Sequence, residues 1–355
     1  MIINRSTQVS TIPPNPAHPS RLPVIAVTGH LGAGKTTLLN HLLRAPGARL
    51  GVVVNDFGVV NVDAGLVAAQ VDDVAGIAGG CVCCLPDAGG LDGALERLSH
   101  PRLRLDAIIV EASGVAEPLA LAKLIRYSGV QRVRLGGVVD VIDAVEHFRT
   151  VDLWPEPPVR HAAATLVVVS KLDGVAAAER ESQAARIVER VRMRNPHAPV
   201  VVADHGRVDP TLIFDVATPD DPEELPIAAL LRESDGEHLD HAHARSASVA
   251  LPAPISPTAL VDLLESPPAD AYRMKGRVRV RAVRGERGYA VNVVGSMIHV
   301  APLPVVPQVG ELVAIGIDMS AHAATTRLAA VAAAPADRPD VAGLRRLHRY
   351  RRLSD

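Results

Sequence analysis

Short runs of valine and isoleucine, each bounded by turn-forming residues, recur through the first two hundred residues of the chain. These apolar runs are 24–28, 51–55, 107–111, 137–140, 166–170 and 200–203. Continuous apolar runs of this length predict strands that are buried on both faces. Helix-like stretches alternate with them, at 36–44, 91–98, 118–126 and 176–194. The alternation predicts an α/β domain with a parallel sheet and helices on both faces.

A different pattern follows residue 246. Strand-like runs occur at 248–251, 277–283, 289–294, 298–301 and 311–315, with helix-like stretches at 258–265 and 320–334. They predict a smaller α+β domain. We therefore divide the chain into a proline-rich, disordered leader (1–21), the α/β domain (22–216), a polar, acidic linker (217–246), the smaller domain (247–335) and a basic tail (336–355). The tail is expected to be a solvated, partly frayed helix rather than a membrane or acidic-partner contact.

Composition narrows the possible partners and compartment. The chain has 355 residues, 48% of them hydrophobic, which is enough for two cores. Only 2% are aromatic and the formal net charge is -2, so nucleic acid is not an expected partner. Neither a secretory signal nor an apolar run of about 20 residues is present, so we expect no membrane association and a cytoplasmic location.

A glycine-rich segment follows the first predicted strand and precedes the first predicted helix. It reads Gly29-His-Leu-Gly-Ala-Gly-Lys-Thr36, the phosphate-binding pattern of glycine, four residues and Gly-Lys-Thr. Backbone N–H groups of such a P-loop bind phosphate oxygens, Lys35 reaches the β and γ phosphates, and Thr36 offers its hydroxyl to Mg²⁺. The expected nucleotide contacts here are Gly29, Gly32, Ala33, Gly34, Lys35, Thr36 and Thr37.

A second strand end carries residues suited to the third phosphate. Glu111-Ala-Ser-Gly114 ends the 107–111 strand. Glu111 would orient the metal ion or its water, and the backbone N–H of Gly114 would contact the γ-phosphate. Lys35, Thr36 and Glu111 are therefore the candidates for catalysis. No glutamine that could position the attacking water follows Gly114, so we expect slow intrinsic hydrolysis.

Base recognition is assigned to Ser170-Lys-Leu-Asp173, again at a strand end. The carboxylate of Asp173 can accept both N1–H and N2–H of guanine, and the stem of Lys171 can lie over the base, which favours GTP. The alternative is a strand-end charge pair with no nucleotide role. Such a motif usually begins with asparagine, and Ser170 has no amide to hold the loop.

All three cysteines of the chain, Cys81, Cys83 and Cys84, lie in one glycine-flanked loop. Three thiolates suit Zn²⁺ or Cu(I) and leave one tetrahedral position open, as metal transfer requires. The fourth ligand could be Asp56, a histidine, water or a client group. The alternative is a set of buried cysteines acting as small apolar residues. The linker histidines His238, His241 and His243 are either an auxiliary metal-binding arm or part of a solvated linker.

Over residues 23–334 these motifs, in this order, resemble the CobW-type metallochaperone GTPases, which are related to the maturation GTPases of hydrogenase and urease. The switch-like Asn55-Asp-Phe-Gly58 and, in the smaller domain, Arg273-Met-Lys-Gly276 and Leu312-Val-Ala-Ile-Gly316 strengthen the resemblance. This chain has Asp56 where the family usually has glutamate, and its linker holds few histidines.

The resemblance implies a P-loop GTPase that uses GTP and Mg²⁺, and whose Cys-x-Cys-Cys loop transfers zinc to client apo-metalloproteins. Some relatives serve cobalt or nitrile hydratase maturation instead. Two other functions remain open from the sequence: a metal-binding protein whose nucleotide changes its affinity with little hydrolysis, and a metabolite kinase.

Overall fold

The computed structural model describes residues 21–44, 48–55, 84–86, 90–112, 117–214, 244–317, 319–333 and 340–354. Within these ranges the α/β domain holds a seven-stranded, wholly parallel sheet of order β3-β2-β4-β1-β5-β6-β7. Its strands are β1 (Leu22–Gly29), β2 (Leu50–Asn55), β3 (Cys84–Pro86), β4 (Ala107–Ala112), β5 (Val133–Asp143), β6 (Leu166–Ser170) and β7 (Val200–Val202). The predicted parallel sheet is confirmed.

Helices cover both faces of this sheet, as predicted. They are α1 (Lys35–Leu43), α2 (Gly90–Leu98), α3 (Pro118–Arg126), α4 (His147–Thr150) and α5 (Arg180–Arg194). On one face Leu38 of α1 belongs to a buried cluster with Ile25 of β1, and on the other Leu121 of α3 belongs to a cluster with Val24. The helix predicted at 176–194 begins only at Arg180, after a short 3-10 turn.

The strand order places the ends of three strands side by side. β1 is central, with β4 on one side and β5 on the other. The register pairs Val27 with Glu111 and Gly29 with Val141. In open parallel sheets ligands bind beyond the carboxyl ends of the strands, where neighbouring connections diverge. This geometry brings the loop after β1 next to Glu111.

The second domain is a five-stranded antiparallel sheet of order β11-β10-β9-β12-β8. Its strands are β8 (Arg245–Leu251), β9 (Ala271–Arg281), β10 (Glu286–Val294), β11 (Met297–Pro302) and β12 (Gly310–Gly316), and its helices are α6 (Pro257–Glu265), α7 (Ala321–Ala333) and α8 (Val341–Ser354). Leu264, Leu328 and Leu347 of the three helices join the sheet in one core. This is the predicted smaller α+β domain.

The basic tail differs from the solvated helix expected from its composition. It forms α8, and Leu344 and Leu347, three residues apart, are buried against the second core. Arg346 forms ion pairs with Asp262 and Glu265 of α6. The apolar positions recur at helical spacing among the arginines, so one face packs while the charged face meets acidic partners.

The two domains share buried surface. Tyr272, Val294 and Ile315 of the second domain belong to the same apolar cluster as Leu212 and Phe214 of the first. Burial raises the pKa of the Tyr272 hydroxyl. Within the described ranges, no helix is both long enough and apolar enough to cross a membrane.

Candidate nucleotide and metal site

The glycine-rich segment forms a tight loop between β1 and α1. Gly34 is the residue before α1 and has a φ of 95°, a left-handed conformation that favours glycine. The N–H of Ala33 donates to the carbonyl oxygen of His30 at 3.0 Å, which closes the preceding turn. The loop therefore delivers the N-terminal end of α1, with its partial positive charge, to the carboxyl edge of the sheet.

Lys35 lies inside this loop, as predicted from its place in the motif. Its side chain is largely buried, and its Nζ donates to the carbonyl oxygens of Gly29 at 3.0 Å and His30 at 3.3 Å. A buried ammonium needs such acceptors. The loop thus holds the charge beside its own backbone, where the phosphate oxygens of a nucleotide would bind.

Thr36 and Glu111 meet across the gap between α1 and β4. The Thr36 hydroxyl donates to Oε1 of Glu111 at 2.9 Å, and Glu111 is buried. A hydroxyl and a carboxylate oxygen are donors that Mg²⁺ accepts in triphosphate sites. The pair therefore fits a magnesium ion through the chemistry of its donors.

The side chain of Ser170, at the end of β6, contacts the backbone of the phosphate loop. Its hydroxyl oxygen lies 2.6 Å from the carbonyl oxygen of Ala33 and 3.1 Å from that of Ile142, so it donates to either. Ser170 has no amide with which to hold the loop, as noted from the sequence, but its hydroxyl contacts the loop backbone instead. A serine can do so because its short side chain is buried directly against the loop backbone.

The loops after β6 and β7 place the predicted base-binding residues together. Nζ of Lys171 lies 2.8 Å from Oδ2 of Asp143, at the end of β5. Asp173 is about half exposed, and its Oδ2 lies 3.9 Å from Nε2 of His205. Asp143 and His205 were missed at the sequence level, because only the strand order brings β5, β6 and β7 to one edge.

The turn after β7 also contacts α1. Gly206 in this turn has a φ of +80°, and a Cβ there would approach Cγ2 of Thr37 to 2.6 Å. Only glycine fits so close an approach with this backbone. The base side of the site therefore packs directly on the helix that follows the phosphate loop.

A buried charge network lies beneath the loop. Asp140 accepts hydrogen bonds from the Thr28 hydroxyl at 2.9 Å and from Arg160 at 2.8 Å and 3.3 Å. Burial alone would raise the pKa of Asp140, but neighbouring His161 and Arg160 lower it to about 2. Asp140 is therefore ionised, and it ties the end of β1 to Arg160. No sequence motif indicated this network.

Two histidines extend the network away from the loop. The rings of His147 and His161 lie 5.6 Å apart, and Nε2 of His147 is 3.6 Å from Oδ2 of Asp152. Burial, and then the charge of His161, lower the pKa of His147 to about 4. Arg190 of α5 binds Asp152 in turn. His147 is therefore neutral at pH 7.

The rest of the predicted site lies outside the described residues, namely Asp56, Cys81, Cys83, Gly114, His238, His241 and His243. Cys84 is described through its backbone alone, as the first residue of β3, paired with Val52. Across the described part of the chain, no three histidine, cysteine or acidic side chains are arranged to hold a metal ion. The thiol site therefore remains a prediction.

Comparison with known proteins assigns both domains. Residues 23–202 match the family described as CobW/HypB/UreG, nucleotide-binding domain, and residues 244–332 match the cobalamin synthesis protein cobW C-terminal domain. These two ranges correspond to the two domains of the structure.

Curated relatives include two bacterial zinc chaperones. Zinc chaperone YjiA of Escherichia coli is 32% identical over 199 residues, which cover 54% of this chain and 60% of that protein. Zinc chaperone CobW of Sinorhizobium sp is 29% identical over 295 residues, covering 73% and 82% of the two chains. The match thus spans less than two thirds of the E. coli relative.

A solved structure, that of Zn(II)-bound YjiA GTPase from E. coli, is 23% identical and covers 88% of this chain and 99% of that chain, with a TM-score of 0.41. The nucleotide-binding domain match covers half of the chain, and the second match covers its other domain. The chain belongs to the CobW family of P-loop nucleotide-binding proteins.

Proposed function

We propose that this chain is a GTP-hydrolysing metallochaperone that binds zinc as cargo at Cys81, Cys83 and Cys84 and delivers it to client apo-metalloproteins. The hydrogen bond between Thr36 and Glu111, next to the phosphate loop, carries the nucleotide half of the proposal. The zinc half is supported by the three thiols and by relatives named zinc chaperones. The proposed setting is the cytoplasm, where reducing conditions keep thiols available for metal.

In the proposed reaction the protein positions the triphosphate and neutralises its charge. Lys35 turns from the carbonyl oxygens of Gly29 and His30 to the β and γ oxygens of GTP. Thr36 and Glu111 would hold Mg²⁺, which supplies charge neutralisation at the β and γ phosphates when it is bound. Asp173 accepts the N1–H and N2–H of guanine, and the stem of Lys171 lies along the base.

Zinc transfer needs a site that can open. Three thiolates hold tetrahedral zinc and leave one position for an exchangeable ligand, such as Asp56, water or a donor from the client. Because zinc displaces thiol protons, the affinity of this site for zinc should fall as the pH drops below the thiol range. GTP binding and hydrolysis would alter the affinity of this site for zinc and would therefore control when zinc is released.

Phosphate release from GTP, measured with and without one equivalent of zinc, tests the proposal. We expect slow basal release that zinc changes severalfold in the parent protein, no release in Lys35→Ala, and basal release without a zinc response in a triple Cys→Ser variant. A zinc response that persists in the triple variant would place the cargo site elsewhere, with His238, His241 and His243 tested next. Cobalt in place of zinc tests the cobalt-related alternative.

Competition with a chromophoric zinc chelator supplies an independent readout. We expect the zinc affinities of the apo, GDP-bound and GTP-analogue-bound forms to differ, and linkage requires zinc to change the GTP-analogue affinity by the same factor. Equal zinc affinity in all three forms would contradict coupled delivery. Altered affinity without measurable hydrolysis would instead support a nucleotide-modulated metal-binding protein.

A further inference from the structure

A groove of about 300 Å³ lies between the two domains, away from the nucleotide site. One wall is formed by α3, and the facing wall by the turn between β10 and β11, with Gly295, Ser296 and Met297. Leu135 and Val138 of β5 also line the groove, as do residues 162–165 and Asn195, His197 and Ala198. None of these residues belongs to the phosphate loop or to the loops that place Asp173.

The chemistry of this groove is apolar inside and cationic at the rim. Leu135, Val138 and several alanines make most of the lining apolar, with Thr165, Asn195 and Ser296 as its uncharged polar members. The exposed rim carries the two cations, Lys123 and Arg126. Among the described residues that line it, none is aspartate or glutamate. The chain as a whole has a formal net charge of -2, so this rim is opposite in sign to the molecule's average.

The apolar surface continues beyond the rim along α3. Leu119 near the start of α3 is 45% exposed, Tyr127 just after its end is 78% exposed, and both line the groove. Exposed apolar surface beside a preformed groove is typical of protein interaction sites. A surface open along a helix fits an extended occupant better than an enclosed small molecule.

We propose that this groove docks a segment of the client protein in which a large apolar side chain lies next to carboxylates. The apolar side chain would enter between Leu135 and Met297 and lose its contact with water. The carboxylates would pair with Lys123 and Arg126, which also steer the encounter. The identity of the partner as a client rests on the proposed function, whereas the groove and its chemistry do not.

The groove lies where a bound client segment would contact both domains. On one side it is lined by α3, which begins at Pro118 and is the next described helix after β4, the strand that carries Glu111. Its other wall is anchored to the second domain, since the N–H of Gly295 donates to the carbonyl oxygen of Tyr272 at 3.0 Å. A docked segment would therefore touch the nucleotide-binding domain and the C-terminal domain at once.

Binding of the full chain to an array of synthetic octapeptides tests the proposal. The peptides permute apolar, acidic, basic and serine positions. We expect selective binding of peptides that combine leucine or phenylalanine with aspartate or glutamate. Binding should fall at least tenfold in Lys123→Glu/Arg126→Glu, which reverses the rim charge, and in Ala162→Trp, which fills the groove from an exposed position.

Matched controls separate the groove from general charge and bulk. Arg97→Glu/Arg102→Glu makes the same change in net charge at exposed positions outside the groove, and Ala185→Trp adds the same bulk on the exposed side of α5. Both should bind peptides like the parent. The proposal is overturned if the groove variants bind the acidic, apolar peptides as tightly as the parent does. It is also overturned if basic or serine-only peptides bind the parent as tightly as the acidic, apolar ones.

Two further probes decide the class of ligand. Decanoate or a single-stranded oligonucleotide that binds at the groove while every peptide fails would also overturn the proposal. GTP hydrolysis and zinc titration of the same variants should match the parent, because none of the altered residues lies in the nucleotide or thiol site. If a variant loses peptide binding but keeps GTP hydrolysis and zinc binding, the docking site is separate from the site of the proposed activity.

Discussion

The hydroxyl oxygen of Ser170, at the end of β6, lies 2.6 Å from the carbonyl oxygen of Ala33 in the phosphate loop. This contact joins the strand that leads to Asp173 to the loop that carries Lys35. The same hydroxyl oxygen lies 3.1 Å from the carbonyl oxygen of Ile142 in β5, which is its alternative acceptor. The base side and the phosphate side of the site are thus held together by one buried hydroxyl.

Ser170→Ala should weaken nucleotide binding about fivefold, because one buried hydrogen bond contributes about 1 kcal/mol and the Ala33 carbonyl loses its donor. Titration with a fluorescent GDP analogue measures the change. Ser182→Ala removes a comparable side-chain hydrogen bond, to the Glu179 carbonyl oxygen on the surface of α5, and should leave affinity unchanged. Equal affinities of the Ser170 variant and the parent would refute the role of this contact.

Lys35→Ala should abolish GTP hydrolysis and weaken nucleotide binding. The substitution removes the buried ammonium that the loop holds at the carbonyl oxygens of Gly29 and His30. Phosphate release under single-turnover conditions measures the loss. Lys123→Ala, an exposed lysine on α3, is the control and should hydrolyse GTP at the parent rate. If Lys35→Ala hydrolysed GTP at the parent rate, the assignment of the phosphate loop to the nucleotide site would be wrong.

Glu111→Gln should make nucleotide affinity less dependent on Mg²⁺. The amide can still accept from Thr36, so the 2.9 Å contact is kept while the negative charge near the metal ion is lost. Titrating Mg²⁺ against the bound GTP analogue should give an apparent metal affinity at least tenfold weaker than that of the parent. The same titration on Thr36→Ala tests the second oxygen donor. Parent-like metal affinity in both variants would contradict a magnesium site at this pair.

Asp173→Asn should erode the preference for GTP over ATP. The carboxylate offers two acceptors to guanine, whereas the amide replaces one of them with a donor. Competition of GTP and ATP for the bound fluorescent GDP analogue gives the ratio of affinities. Asp204→Asn, at the neighbouring turn where His205 binds Asp204, is the comparison and should alter the ratio less. If the parent protein bound GTP and ATP equally well, the assignment of Asp173 to guanine recognition would be wrong.

Because of His147, the free energy of unfolding should decrease as the pH is lowered from 6.5 to 4. Burial lowers its pKa from 6.5 to about 4, so the unfolded chain takes up a proton in this window while the folded protein does not. Its stabilising contribution is therefore complete above pH 6.5, and about 2 kcal/mol is lost between pH 7.5 and pH 5. His299, whose pKa burial lowers to about 3, acts in the same direction.

Urea unfolding at several pH values measures this effect. In His147→Gln the loss of unfolding free energy between pH 7.5 and pH 5 should be smaller by about 2 kcal/mol. His322→Gln, at an exposed position on α7, should keep the parent pH dependence. The same pH dependence in His147→Gln and the parent would show that His147 titrates alike in both states.

Much of the fold follows from local patterns. The valine and isoleucine runs predicted the strands of the parallel sheet, because a strand buried on both faces needs apolar residues at successive positions. The phosphate loop was recognisable because Gly29 to Thr36 are contiguous, so one segment carries both the glycines and the lysine. The helix predicted at 176–194 started too early because its first turn lacks buried residues: within α5, Ile187 and Val191 are the buried positions.

The packing of α8 and the inner contacts of the site required the tertiary structure. The arginines of α8 indicated a solvated tail, yet Leu347 is buried and Arg346 meets acidic side chains of α6, which lies far away in sequence. Likewise, Ser170 reaches Ala33 only because β6 and β1 flank β5 in one sheet. The sequence by itself determined the elements and the contiguous motif, which depend on neighbouring residues. The order of the strands decided which distant side chains meet, because that order arises from packing across the whole sheet.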